Sequence, residues 1–367
     1  YIIFKNSAKP YVYSIMISGF AILFYGLESG ELAILQANKK IKEIAKDCKD
    51  KNIKVVTNAG GLNPSSMANE IKKILEDLSI DLKVAFLEGD DLMPRINELS
   101  KHGEEFINID KNKTLEESGH HLLTANAYLG AWGIKKALDL GADIVVCPRV
   151  TDAALVIGPA AWKYNWNRDN YDALAGALAA GHIIECGCQA TGGNYAFFKE
   201  VPSFDNVGYP IAEIKSDGSF YITKHENTGG LVSKGTVTAQ LLYEISTPAY
   251  INPDVVAHFD TLKIEDVSPN RVYVSGCRGS SPPDKHKVCI NLAGGFRNGM
   301  EIILTGLDIE EKAEVFINTL FNSVGGKDQF DKVDIHLHKT HKDNPTSNEE
   351  AMASLVIDVK SKNPDLV

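Results

Sequence analysis

The sequence predicts an α/β protein with a mostly parallel sheet and flanking helices in the first half, followed by an α+β half with a hairpin and mixed strands. Three observations predict this. Short apolar runs alternate with segments of helical period through the first half, the pattern of strands covered on both faces. After about residue 198, alternating runs and turn residues take over. The chain has 367 residues, 44% of them hydrophobic, enough for two packed cores, and domains are placed at 1–197 and 198–367.

The elements follow in order. Residues 11–27, YVYSIMISGFAILFYGL, come after Lys5, Lys9 and Pro10. A membrane span needs about 20 apolar residues, and Ser14, Ser18 and Gly19 interrupt this run, so it is read as a buried strand with its turn in preference to a signal segment or a span. Helical spacing covers 30–52 and 64–79, with the valine-rich strand IKVVTNAGG between them. LKVAFLEG and DIVVCP are further strands, the second preceded by a helix over 124–141. In GYPIAEIKSDGSFYITKH, alternation about Asp217-Gly218 predicts a β-hairpin. Strands are expected in AHFDTLKIEDV, NRVYVSGCRG, KHKVCINL, MEIILTGL and KVDIHLHK, with a helix over 309–324. The chain opens on Tyr1 and stops at SKNPDLV without a clear terminal element, which reads as a fragment truncated at its C-terminus.

A net charge of −10 with scattered Lys and Arg argues against a nucleic-acid partner, since phosphate binding rests on clustered cations. Six cysteines without short-loop spacing suit a reducing compartment, so a cytoplasmic protein without a membrane partner is expected.

Candidate sites lie where predicted strands end. Gly60 and Gly61 precede a helix start that Asn63 or Ser65 can cap, and its free N–H groups would attract an anion, although a strand-turn-helix joint needs glycine anyway. Asp90 and Asp91 would hold Mg²⁺ or cap a helix. Arg149 leaves a strand while Thr151 and Asp152 begin a helix, a setting for a carboxylate or phosphate, unless Arg149 and Asp152 only pair with each other.

Residues 182–193, HIIECGCQATGG, carry several readings at once. His182, Cys186 and Cys188 leave a structural zinc site one ligand short, and no metal is expected. The two cysteines form a CxC pair, or Cys186 is a nucleophile or polar wall with Glu185 as proton carrier beside Gly192 and Gly193, or Cys186 is simply packed as a small hydrophobe. A second Thr-Gly-Gly, at 228–230, follows Lys224, and the two such loops are expected to face each other around one ligand. On the helix after it, Val237, Leu241 and Ile245 form the buried stripe, and Thr236, Gln240, Tyr243 and Glu244 form a polar band beside it that lines a cleft or is solvated surface.

The runs NAYLGAWGIKKALDLGADIVVCPRVTDAALVIGP, LAGALAAGHIIECGCQATGG, the hairpin-to-helix stretch 208–245, AYINPDVVAHF and RVYVSGCRGSSPPDKHKVCI closely resemble the AtuA-like family, named for acyclic terpene utilisation, over about residues 24–338. By its motifs the resemblance marks Asn58, Gly60, Gly61, Asn63, Asn126, Arg149, Asp152, Gln189, Thr191, Gly192, Gly193, Gly229, Gly230, Thr236, Gln240 and Glu244 as binding positions, His182, Glu185, Cys186 and Lys224 as the candidate catalytic set, and Asp254 as a further functional position. This chain departs from the family in having FYGLESGEL, with Glu28 or Glu31, where relatives carry an acidic Leu-Ala-Glu motif. Cys147-Pro148 also replaces a usual Thr-Gly, and Cys188 a usual small residue.

The resemblance implies an enzyme of acyclic terpene or branched-acid catabolism acting on an acyl-CoA or related carboxylate by hydratase, isomerase, lyase or hydrolase chemistry. No cofactor is expected beyond a CoA moiety carried by the substrate. The rival is a non-catalytic metabolite-binding or assembly protein of the same pathway. The double-glycine turns would also suit a subunit interface, and with it a homo-oligomer.

Overall fold

The structure, a computed structural model, describes residues 2–4, 12–15 and 39–367. The chain is mixed α/β and falls into two compact units, one built from residues up to Phe106 with Thr124–Ile290, the other from Ile107–Leu123 with Asn291–Val367.

Among the described residues, the first unit holds a nine-stranded sheet. Its order is β11 (Lys263–Ser268), β12 (Arg271–Ser275), β8 (Phe220–Lys224), β7 (Pro210–Ile214), β1 (Ile2–Phe4), β2 (Val12–Ile15), β3 (Lys54–Thr57), β6 (Ile144–Val146) and β4 (Val84–Phe86). β2, β3, β6 and β4 pair in parallel, whereas β7, β8, β12 and β11 pair antiparallel. β1 links the two regions, parallel to β7 and antiparallel to β2. Both sequence textures therefore share one sheet. The boundary expected between 197 and 198 falls inside this unit, because the 210–224 hairpin adds its strands to those of the first half.

The parallel part is covered on both faces, as its continuous apolar runs require. Val55, Ile144 and Val146 pack with α1 (helical over residues 39–50) and α2 (Pro64–Asp77). Their neighbours Val56 and Val145 point the other way, into the cluster that also contains α4 (Trp132–Asp139), α5 (Ala154–Tyr164) and α6 (Tyr171–Ile184). Period-2 alternation thus splits adjacent valines between two cores. Helix α6, YDALAGALAAGHII, is apolar nearly all round and buried from Leu174 to Ile184, as expected of a central helix. Two of its glycines set how close it comes. A methyl group at Gly176 would strike the carbonyl of Gly218, and one at Gly181 would lie 2.8 Å from the Cα of Ala153. The second contact brings the end of α6 against the start of α5.

One predicted helix is corrected. Leu122–Ala127 is a strand, β5, and only Trp132–Asp139 is helical. Backbone bonds from Leu92 N to Ala125 O and from Ala127 N to Asp90 O (both 2.8 Å) hold Asn126 extended, and this tertiary pairing outweighs local helical spacing. β5 forms a two-stranded ribbon with β14 (Val288–Leu292), while β9 (Ala249–Ile251), β10 (Val256–His258) and β13 (Arg278–Ser280) make a small antiparallel sheet. Two short helices complete the first unit, α3 (Ile96–Lys101) and α7 (Lys234–Leu242).

In the second unit β15 (Phe296–Thr305), β17 (Met352–Ser361) and β16 (Lys332–His338) form an antiparallel sheet with β17 in the middle. Ala313 and Phe321 of α8 (Ile309–Ser323) pack with Leu355 and Ile357. The central strand β17 was not among the strands expected from the sequence, and it ends at Ser361, where the closing SKNPDLV begins.

Most of the apolar run 11–27, together with Glu28 and Glu31, lies outside the described residues. No helix among the described residues is long and apolar enough to cross a membrane.

Candidate functional site

Three segments of the first unit converge on the end of α6. His182 and Glu185 stand one helical turn apart, so they share a face. The imidazole is fully buried and lies between Tyr243 (5.3 Å between ring centres, 24° between planes), Tyr250 (5.0 Å) and Phe259 (5.6 Å). Its Nδ1 is 3.3 Å from Glu185 Oε1, yet neither ring nitrogen has a hydrogen-bond partner.

The polar band expected along one face of α7 is rearranged. The helix stops at Leu242, Tyr243 is extended, and Glu244 takes a left-handed backbone with φ of 46°. Leaving the helix brings Tyr243 to α6. Its hydroxyl donates to Glu185 Oε1 at 2.8 Å and accepts from the Cys186 thiol at 3.0 Å. Gln240 lies beside the thiol. Thr236 is spent elsewhere, since its hydroxyl closes a capping box with Ser233 at the start of α7.

Burial pushes the Cys186 thiol above its ordinary value, and the nearby Glu185 and Glu244 carboxylates add to this, with Tyr243 and Gln240 opposing. The Tyr243 hydroxyl is raised by burial first, then by Cys186 and Glu185. Asp152, at the start of α5, is pushed up to about 6, chiefly by burial and then by Glu185 and Glu244, with the Arg149 guanidinium opposing. Asn58, beyond β3, donates to its Oδ1 at 3.2 Å.

Arg149 enters from the loop after β6. Its backbone N–H donates to Asp90 Oδ2 at 3.3 Å, an oxygen that also accepts from Asn126 Nδ2 at 2.8 Å. The guanidinium lies 4.3 Å over the Tyr128 ring, and its Nε is buried without a partner. Among the described residues Arg149 and Asp152 form no ion pair within 4.0 Å, although each feels the other's charge. Asp90 and Asp91 diverge, since Asp90 holds the Arg149 loop while Asp91 accepts from Met93 N at 2.9 Å.

The glycine loops are joints of the fold. Leu231 N donates to Thr191 O at 2.8 Å, and a side chain at Gly230 would meet that same carbonyl. The two Thr-Gly-Gly loops thus pack directly on each other, where a ligand was expected between them. Gly192 has φ of 99°, Gly193 packs on Cys188, Gly229 on Asp205, and the Thr191 hydroxyl bonds Gly208 O. Lys224 Nζ closes its own turn on Thr228 O at 2.9 Å. Gly60 abuts the Cys147 carbonyl, Gly61 has φ of 52°, and Asn63 Oδ1 caps α2 by accepting from Ser66 N at 3.1 Å. These residues shape the loops themselves.

Asp254 is likewise structural. Its carboxylate accepts from Ala131 N at 2.9 and 3.0 Å where α4 begins, in a space left by Gly130. Tyr128, Tyr250 and Phe259 belong to the site's surroundings but gave no signal beyond being aromatic. A cleft of about 470 Å³ lies elsewhere, lined by Asp217, Gly218, Cys277 and Arg278, whose guanidinium already pairs with Asp172 at 2.6 Å.

The buried polar atoms without hydrogen bonds gather near this cluster. Asn58 Oδ1, Arg149 Nε, Thr151 Oγ1, both His182 nitrogens, Gln189 Oε1, Gln240 Nε2 and Asn252 Oδ1 all lie on the segments just described, with His341 Nδ1 the exception among the described residues. In folded proteins such atoms are usually paired with protein groups or ordered water. Donor atoms of His182, Glu185 and Glu244 also lie within 4.8 Å of one another.

No curated protein and no solved structure matches the chain significantly. The model of the acyclic terpene utilisation family protein AtuA matches residues 35–367, nearly the whole chain, and the chain therefore belongs to that family.

Proposed function

We propose that the protein is an enzyme of acyclic terpene or branched-acid breakdown that moves a proton on an acyl-CoA or related carboxylate. The family is linked to acyclic terpene utilisation. One observation carries the reading: Tyr243 joins Cys186 to Glu185 in a single donor chain at 3.0 and 2.8 Å, beside a buried imidazole and a second carboxyl, Asp152. Convergent carboxyl groups in unlike surroundings are suited to acid-base work. Arg149, with an unpartnered Nε, is the cation available to an anionic substrate group.

The arrangement favours acid-base chemistry over attack by the Cys186 sulfur. Reactive thiolates sit beside cations, whereas this thiol faces a phenol, an amide and carboxylates. Hydration, isomerisation or lyase chemistry fits better than a covalent thioester route.

The test incubates purified protein with branched acyl-CoAs and follows products by mass spectrometry. Glu185→Gln is expected to lower turnover by about 100-fold or more, with Cys186→Ala milder. Retention of an acyl-CoA without conversion, unaffected by Glu185→Gln, would make the protein a metabolite carrier instead.

A further inference from the structure

We propose that His182, Glu185 and Glu244 bind one divalent first-row metal ion of the Mn²⁺ or Zn²⁺ kind. The inference does not depend on the acyl-CoA reading. His182 supplies its independent support: a fully buried imidazole with no hydrogen bond at either nitrogen loses the solvation of both. One of those nitrogens already faces Glu185 Oε1 at 3.3 Å without the geometry of a hydrogen bond. Two donors each about 2.1 Å from an ion, at adjacent coordination positions, stand roughly 3.0–3.4 Å apart. The third donor, from Glu244, lies within 4.8 Å of the other two, so a small closure brings all three onto one ion.

Charge points the same way. Carboxylate oxygens of Glu185 and Glu244 lie within 4.8 Å of each other, and the Arg149 guanidinium is held over Tyr128. A divalent ion between the two glutamates would relieve their mutual repulsion. The donor set of one imidazole and two carboxylates suits Mn²⁺ or Zn²⁺ better than soft, thiolate-preferring ions. Outer support is present as well, since three aromatic rings fix the imidazole and the Tyr243 hydroxyl orients Glu185. Glu244 is exposed, which gives an ion a way in and leaves coordination positions for water or a substrate oxygen.

The experiment strips the full chain with chelator, then titrates Mn²⁺, followed by the paramagnetic resonance of the free ion, and Zn²⁺, followed by calorimetry. The expected result is saturation at one ion per chain, with a higher unfolding temperature. Glu244→Gln, at an exposed position that leaves the core intact, is expected to weaken binding about tenfold or more, as is Glu185→Gln. Failure of both ions to bind overturns the proposal, and so does wild-type affinity in both variants. Binding is read without substrate, so a silent acyl-CoA panel leaves the metal site standing, and a failed titration leaves the acyl-CoA reading standing.

Discussion

Tyr243 carries more of the site than its place just past a helix suggests. Its hydroxyl is the one atom joining the Cys186 thiol to the Glu185 carboxylate. Tyr243→Phe keeps the ring that stacks on His182 and removes only that link. Stability is expected to fall by about 1–2 kcal/mol, and turnover of a converted acyl-CoA by about 100-fold or more. Denaturant melts with steady-state rates check both, and a variant with full turnover would remove Tyr243 from the chemistry. Asp254 gives a second prediction, on stability. Burial raises its carboxyl to about 6 despite the Ala131 N–H and the charges of Arg168 and His286. An acid raised in the folded state binds more protons there than in the unfolded chain, so its contribution is full below the unfolded value and is lost as pH rises towards 6 and beyond. Asn at 254 keeps an acceptor for Ala131 without this titration. Between pH 5 and pH 7 the stability of Asp254→Asn relative to wild type is expected to rise by about 1 kcal/mol, measured by urea unfolding.

At the scale of elements, α6 decides where the site lies. Its small residues let it sink to the core, and Gly181 puts it against the turn of chain that carries Asp152. In Gly181→Ala the new methyl meets the Ala153 backbone, which cannot give way as a flexible side chain would. The expected loss is about 1–3 kcal/mol, seen in denaturant melts, with His182 and Glu185 displaced from Asp152. The same element shows what was legible in the sequence. The apolar strands, the Asp217-Gly218 hairpin and the Asn63 cap all follow from local spacing and turn chemistry. The strand over 122–127 did not, because its cause is distant pairing with the segment around Asp90. The central strand β17 has a local signal in the alternating burial of Ala353, Leu355 and Ile357. Among site residues, His182, Glu185, Cys186 and Asp152 stood out by chemistry and position. Thr236 and Lys224 stood out equally and are occupied with a cap and a turn. Spacing alone does not distinguish a hydroxyl that closes a capping box from one that meets a ligand, and nothing local announces that Tyr250 and Phe259 enclose His182.

Across the whole molecule, each residue of the His182 cluster belongs to the first compact unit, while α8 and the sheet β15–β17–β16 belong to the second. The proposed chemistry and the second core are therefore expected to be separable by mutation. Leu355 is fully buried at the centre of β17, packed with Ala313, Phe321 and Ile357. Leu355→Ala removes three heavy atoms from a small core with few residues to close the gap, at a cost of about 2–5 kcal/mol. Calorimetry is expected to show an unfolding transition lowered in that variant, while divalent-ion affinity and acyl-CoA conversion measured well below the transition stay at wild-type values. Gly181→Ala is also destabilising but, unlike Leu355→Ala, is expected to weaken ligand binding at temperatures where both proteins remain folded. If Leu355→Ala abolished ion and acyl-CoA binding while its folded signal persisted, the second unit would have a part in the site, and confinement of the function to the first would have to be given up.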